Sequence, residues 1–357
     1  MKLTINTTQL QGMLNKAIKG AGRNKLKRMT ELVSIRLKDK KLTLSTTDEI
    51  NYLSITADNI DGDDMYVAVE AELFVKLVSK LTSDTTTLAV EDKVFKVIGN
   101  GTYEFKLEID PEDGTPVVLP NPIDAFVKGD VIGTTTQADI TNIIASIKSA
   151  LCIKADYPWY CCYYVTDDVV ASDMFTVGSY AHGFLNEPYL VRAEAMDLVG
   201  LLSGNISVYV TEGKMLFEAE NGSVYTTIPN GIDKYDIDGL RAYIVQDFEH
   251  SCKITKNTML SLLDRVYPFV GAYDNGRITL SFANDGLTIT SKYAEETINY
   301  AEATGNVADF TCAIDIEPFT AQIKSQLGNV VEIQYGNENA IKIIDGDVIS
   351  VISLLSE

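Results

Sequence analysis

The sequence predicts an α+β fold built from six βαβββ units, with the helices laid on one face of antiparallel sheets. Three observations lead there. Six short strand-like openings, MKLTIN, MYVAVE, DVIGTTT, PYLVRA, SCKITK and FTCAID, each precede a segment with apolar residues at i, i+3, i+4 and i+7. Between those segments run alternating patterns broken by Asn100-Gly101, Asn221-Gly222, Asn275-Gly276 and Asp285-Gly286, the turn signals of hairpins. Finally, with Leu14, Val78, Ile144, Val199, Leu263 and Ile323 taken as equivalent, the spacings are 64, 66, 55, 64 and 60 residues. A chain of 357 residues divided by six gives about 60, so six units tile it.

The apolar stripes define the helices. The first reads as 7–20, with Leu10, Met13, Leu14 and Ala17 on one side; the second as 71–82, with Leu73, Phe74, Leu77, Val78 and Leu81. The third, 137–151, carries Ile140, Ile143, Ile144, Ile147 and Leu151, and the fourth, 192–202, carries Ala195, Leu198, Val199 and Leu202. Met259, Leu262, Leu263 and Val266 mark the fifth at 255–267; Phe319, Ile323 and Leu327 mark the sixth at 315–327. Each one-sided helix needs a sheet to cover. Residues 111–122 hold four of the nine prolines and read as an extended connector. A second polar stretch, 229–239, separates the fourth unit from the fifth, giving three domains of two units near 1–125, 126–243 and 244–357.

Thirty Lys and Arg against 50 Asp and Glu leave a net charge of −20, which argues against a surface that is basic all round. The hydrophobic content of 46% is ample for packed cores. No stretch reaches the roughly 20 apolar residues of a membrane span, and MKLTINTTQL is no signal peptide, so a cytoplasmic location is expected. Cys152, Cys161, Cys162, Cys252 and Cys312 form no C-x-x-C pair and lie mostly in strand-like stretches, which reads as buried thiols. With only His182 and His250 in the chain, neither a catalytic triad nor a His-rich metal site is expected; no metal, cofactor or enzymatic activity is predicted.

Charge is unevenly spread. From Met1 to Thr30 there are seven basic residues (Lys2, Lys16, Lys19, Arg23, Lys25, Lys27 and Arg28) and no acidic one. The six helix segments carry nine basic and seven acidic residues, so they sum to +2 and the rest of the chain to −22. Five of those acids (Glu72, Asp139, Glu194, Asp315 and Glu317) sit near helix starts, where the macrodipole favours them. For one helix, Lys and Arg on a solvated face is the ordinary outcome. Six equivalent helices facing one way would make a cationic surface suited to holding a phosphate backbone loosely, without reading sequence.

Repeats, basic helices and acidic total together resemble the bacterial-type sliding clamp, the beta subunit of DNA polymerase III. Local matches are the opening MKLTINTTQL, Leu32-Val33-Ser34-Ile35 followed by LTLSTTDEI at 42–50, and VIGNGTYEFKLEID at 97–110. The resemblance runs over the full length. It implies a DNA-clamp fold of three domains that closes as a dimeric ring, with the helices lining a hole around duplex DNA. It also implies a homodimeric processivity factor that tethers a polymerase without catalysis. The DNA contacts expected on that basis are Lys16, Lys19, Arg23, Lys25, Lys27, Lys76, Lys80, Lys148, Lys256 and Lys324, with Lys154, Trp159 and Tyr160 in the loop after the third helix. Trp159 and Tyr160 read equally well as packed strand residues.

The resemblance also implies a hydrophobic pocket for short linear motifs of polymerase and clamp loader. The family's Thr-Asp-Gly-His-Arg-Leu segment falls on Ser172, Asp173, Met174, Phe175, Thr176 and Val177, of which only the Asp is retained. The family's apolar tail falls on SVISLLSE, placing Val351, Leu354 and Leu355 at the pocket wall, with Leu240 and Cys161 as further lining. Met174-Phe175 in place of Gly-His makes the groove bulkier and more apolar, which points to a different peptide motif and to a phage, prophage or plasmid clamp. Ring closure would join the edge strand carrying Phe105 and Leu107 to the partner's third domain, with Phe269 facing them. An alternative is an acidic, repetitive structural or carbohydrate-binding β protein, such as a virion component; another is a hydrolase using paired carboxylates. The acid-free first 30 residues and the basic helices separate both from the clamp reading.

Overall fold

A computed structural model of the chain describes all residues except 23–26, 108, 110–113, 155, 271–274, 302–306 and 357. Six consecutive βαβββ repeats run through it. The first is β1 (Lys2–Asn6), α1 (Thr7–Ala17), β2 (Leu32–Lys38), β3 (Lys41–Thr47) and β4 (Asn51–Ala57). The second is β5 (Met65–Glu70), α2 (Ala71–Val78), β6 (Thr85–Glu91), β7 (Val94–Ile98) and β8 (Thr102–Lys106). Next come β9 (Val131–Thr136), α3 (Gln137–Ile147), β10 (Cys162–Val165), β11 (Val169–Ser172) and β12 (Thr176–Tyr180). The fourth repeat is β13 (Tyr189–Arg192), α4 (Ala193–Val199), β14 (Asn205–Thr211), β15 (Lys214–Ala219) and β16 (Gly222–Thr227). An additional helix, α5 (Ile237–Val245), precedes the fifth: β17 (His250–Thr255), α6 (Lys256–Val270), β18 (Arg277–Ala283), β19 (Gly286–Thr290) and β20 (Glu295–Ile298). The last is β21 (Phe310–Asp315), α7 (Ile316–Ser325), β22 (Val330–Tyr335), β23 (Ala340–Asp345) and β24 (Val348–Ser353).

Two compact units result, residues 1–137 with 194–228, and residues 138–193 with 229–357. The first holds a four-stranded sheet, β1-β6-β7-β8, and an eight-stranded one, β5-β2-β3-β4-β16-β15-β14-β9. The second holds an eight-stranded sheet, β13-β10-β11-β12-β24-β23-β22-β17, and a four-stranded one, β20-β19-β18-β21. All pairings are antiparallel. The order shows that neighbouring repeats exchange their opening strands: β1 joins the strands of repeat two, and β5 those of repeat one. The same exchange relates β9 with β13, and β17 with β21. A single repeat therefore cannot complete its own sheet, which is why repeats occur in pairs.

The helices fold where their stripes predict. In α1 the Asn6 side chain caps the Gln9 N–H at 3.1 Å, and Leu10, Met13, Leu14 and Ala17 are buried. α1 packs against α2 and against β1, β3 and β4. Phe74 of α2 meets Phe95 and Phe105 edge-on, with centroids 5.5 and 5.8 Å away. In the second unit, Met259 and Leu263 of α6 and Phe319 and Ile323 of α7 share a core with Leu280, Phe282 and Tyr335; the last two rings stack at 3.9 Å. Each such side chain contributes about 1.5–3 kcal/mol by leaving water.

Three expectations need correction. α2 ends at Val78, and Leu73, expected on its apolar side, is exposed because Ala71, Phe74 and Val78 define the buried stripe. Leu327 lies beyond the end of α7 and is also exposed. Residues 229–239, expected as a polar linker, contain a 3-10 turn and the start of α5; Asp236 caps it by accepting the Gly239 N–H at 3.1 Å. Among the described residues, no helix is long and apolar enough to cross a membrane.

Candidate functional site: basic helices, an apolar groove and open sheet edges

Burial of the apolar stripes leaves the basic side chains on the far sides of the helices. Lys19, Lys76, Lys80, Lys148, Lys154 and Lys324 are exposed. Lys16 is half-buried, its Nζ donating to Ser203 Oγ at 3.3 Å, and Lys256 donates to the Gln326 carbonyl. Lys27 lies beside Glu49 at 2.6 Å and Lys76 beside Glu72 at 3.4 Å. Exposed pairs of this kind are worth about 0–1 kcal/mol, so either lysine can exchange its carboxylate for a phosphate at little cost. Arg23 and Lys25 lie outside the described residues.

The loop after α3 folds back on itself, with the Cys152 N–H donating to the Tyr160 carbonyl at 3.0 Å. Lys154 and Ile153 are exposed at its tip. Tyr160, expected at the DNA, is instead buried, its ring 4.9 Å from Tyr235. Its body fills a core that would otherwise be open. Trp159 is half-buried beside it, with the Lys234 ammonium 5.1 Å from its ring centre.

Most expected pocket residues come together in the second unit. Cys161, Val177, Leu240 and Val351 belong to one apolar cluster with Tyr164, Tyr235 and Ile244. Val177 and Val351 are direct cross-strand partners on β12 and β24. The β11–β12 turn borders this cluster. Ser172 Oγ donates to the Thr176 carbonyl at 2.9 Å and accepts the Met174 N–H at 3.0 Å; Asp173 Oδ1 accepts the N–H groups of Phe175 (2.9 Å) and Thr176 (2.6 Å). This network forces Met174 to φ +77° and leaves Phe175 65% exposed. The Asp173 carboxylate thereby builds the turn.

Leu354 and Leu355 do not join that cluster. Leu354 packs against the core around Phe282 and Tyr335, and the Leu355 N–H bonds the Ala313 carbonyl of β21 at 2.9 Å, which draws the tail away. What the sequence reading missed is α5. It supplies Ile244, and Arg241, which pairs with Asp168 at 2.5 Å over the Tyr164 ring. Tyr235, just before it, donates to the Val170 carbonyl at 3.2 Å, and burial pushes its hydroxyl pKa well above the usual range. The signal was present as an Asp236 cap with Ile237, Leu240 and Ile244 at helical spacing.

The two four-stranded sheets end on β8 and β20 at one side and on β1 and β21 at the other. Phe105 and Leu107 were expected to point outward from the first edge; both are largely buried, Phe105 against Phe74 and Phe95. They form the floor of a groove of about 760 Å³ that Leu32, Ala68, Leu73 and Val117 also line. Phe269, in the last turn of α6, is 45% exposed.

The described geometry defines a class: the fold is the DNA-clamp fold, α+β repeats paired through exchanged strands. Residues 1–119 match the family model of the DNA polymerase III beta subunit, N-terminal domain. The full chain is similar in fold to the beta subunit from DNA polymerase of Streptococcus pyogenes (14% identity, 100% of both chains, TM-score 0.82). It is equally similar to the DNA polymerase III beta chain of Streptococcus pneumoniae TIGR4 (14%, 100% of both, 0.83). The beta subunit of Borrelia burgdorferi, solved with a natural product, matches at 16% identity over 100% of this chain and 99% of that one, with a TM-score of 0.82. Among curated proteins none matches the sequence.

Proposed function

We infer that this chain is a DNA polymerase processivity factor, a sliding clamp that encircles duplex DNA and tethers a polymerase. The observation that carries the reading is the pattern of sheet edges. Each eight-stranded sheet is made by joining the last strand of an odd repeat to the last strand of an even one, β4 to β16 and β12 to β24. β20 ends an odd repeat and β8 an even one, and among the described residues neither pairs with a strand on its outer side. A second copy placed head to tail joins them by the same rule, completing two more eight-stranded sheets and removing edges that would otherwise invite aggregation. Phe269 then meets the groove floored by Phe105 and Leu107. The exchanged strands support a reading as three domains of two repeats, 1–125, 126–243 and 244–357.

A homodimeric ring explains how an acidic protein handles DNA. Escape requires opening an interface, so Lys16, Lys19, Arg23, Lys25, Lys27, Lys76, Lys80, Lys148, Lys154, Lys256 and Lys324 need only weak, exchangeable phosphate contacts, and no cofactor or catalytic step is involved. The groove of Cys161, Ser172, Met174, Phe175, Val177, Leu240 and Val351 takes apolar linear motifs of a polymerase and clamp loader. The reading is tested by retention on circular against linearised DNA at moderate salt. A clamp stays on the circle and runs off the linear form; equal release from both overturns it.

A further inference from the structure

We propose that Cys152 and Cys161 form a redox-active dithiol that takes small disulfides as its oxidant. Both Sγ atoms donate to one acceptor, the Lys154 carbonyl oxygen, at 3.9 and 3.5 Å, and the Lys154 N–H returns a bond to Cys152 Sγ at 3.4 Å. Sharing one acceptor caps the sulfur-to-sulfur separation at roughly 7 Å before any movement. The backbone is already paired. The Cys152 N–H bonds the carbonyl of Tyr160, the residue before Cys161, and covalent geometry then holds the two Cα atoms within about 7 Å, near the span a disulfide bridges. Closure needs side-chain rotation and a shift of the Lys154 carbonyl, not refolding of strands.

The two thiols are differently placed. Cys152 is 6% exposed, whereas Cys161 is half-buried and reaches solvent. The remaining three are buried, and burial pushes the thiols of Cys252 and Cys312 up to about 12, which makes those two inert at neutral pH. Cys161 is therefore the attacking thiol. Its thiolate attacks one sulfur of oxidised glutathione, forming a mixed disulfide and releasing one glutathione thiolate. Cys152, as thiolate, then attacks the Cys161 sulfur, forming the Cys152–Cys161 bond and releasing the second. The protein loses two electrons and two protons, and the oxidant gains both.

Cys161 also lines the apolar groove, so closure removes a wall residue and moves the loop carrying Lys154. That consequence rests on the clamp reading; the dithiol itself does not. The full-length protein is incubated with oxidised glutathione, blocked with iodoacetamide and mapped by mass spectrometry. A cross-linked peptide lighter by about 2 Da, joining residues 152 and 161 and reversed by dithiothreitol, is expected. Trp159, the single tryptophan, lies between the two cysteines, and its emission should fall as the disulfide forms. Both changes should vanish in C152S and C161S and persist in C162S. Stable glutathione adducts at Cys161 without the cross-link, or a bond to Cys162 instead, would overturn the proposal. DNA retention measured on the reduced protein reports the clamp reading separately.

Discussion

Met174 sits at φ +77° on the turn that borders the groove, a left-handed conformation that costs a side chain bearing a Cβ about 1–2 kcal/mol. Met174→Gly should therefore raise stability by about 1 kcal/mol, read as a higher urea midpoint at unchanged m-value. No gain would show that the methionine side chain returns the strain through contacts of its own. Lys342 is a second residue held at a cost. It is 6% exposed, its Nζ donates to the Gln246 carbonyl, and the Phe248 ring centre lies 5.0 Å away. Burial holds its pKa below the ordinary 10.5, while Asp247 pulls it back up. In the window below 10.5 the unfolded chain then binds more protons than the folded one, so the wild type should gain stability relative to Lys342→Met as pH rises toward 10.5. A flat difference across that window would mean that the ammonium is not penalised.

At the scale of elements, the joints between half-sheets are the most constrained places. Gly222 opens β16 and pairs with Ile55 of β4, and a Cβ added there would fall on the Ser54 carbonyl oxygen. Gly222→Ala should cost about 2–3 kcal/mol, because backbone rather than a movable side chain is in the way. Thermal unfolding should show it as a lowered Tm; an unchanged Tm would mean that the joint is loose. The sequence made much of this fold legible. The six openings, the stripes anchored on Leu14 or Val78, and the Asn-Gly turns all report local periodicity, and all six helices form. Strand exchange was not legible, because which repeat supplies the fourth strand is decided by packing between segments far apart in the chain. α5 was missed for a different reason: Asp236, Asp238 and Gly239 read as a loop, although Asp236 is the cap that starts the helix. The same limit explains Tyr160, Leu354 and Phe105, whose facing depends on tertiary contacts that no alternation reveals.

For the whole molecule, the net charge of −20 and the open edges of β8 and β20 bear on the proposed dimer. Like-charged copies repel, so association has to come from apolar contact and strand pairing at the edges rather than from long-range attraction. Phe269 is the exposed apolar residue expected to meet the groove over Phe105 and Leu107, and Phe269→Asp tests that placement. Losing the buried ring and desolvating a carboxylate costs about 3 kcal/mol per interface. A head-to-tail dimer has two identical interfaces, so the total is about 6 kcal/mol, or roughly four decades in Kd. Because the ring of Phe269 is 45% exposed, the same change should leave the Tm of the isolated chain nearly untouched. Light scattering at micromolar concentration should give a dimer for the wild type and the 39.2 kDa chain mass for the variant. Raising salt should narrow the gap, since screening weakens the repulsion added by the new carboxylates. Retention on circular DNA should be lost with the dimer. A variant that stays dimeric and retained would remove Phe269 from the interface, and a wild type that is monomeric at that concentration would remove the closed ring.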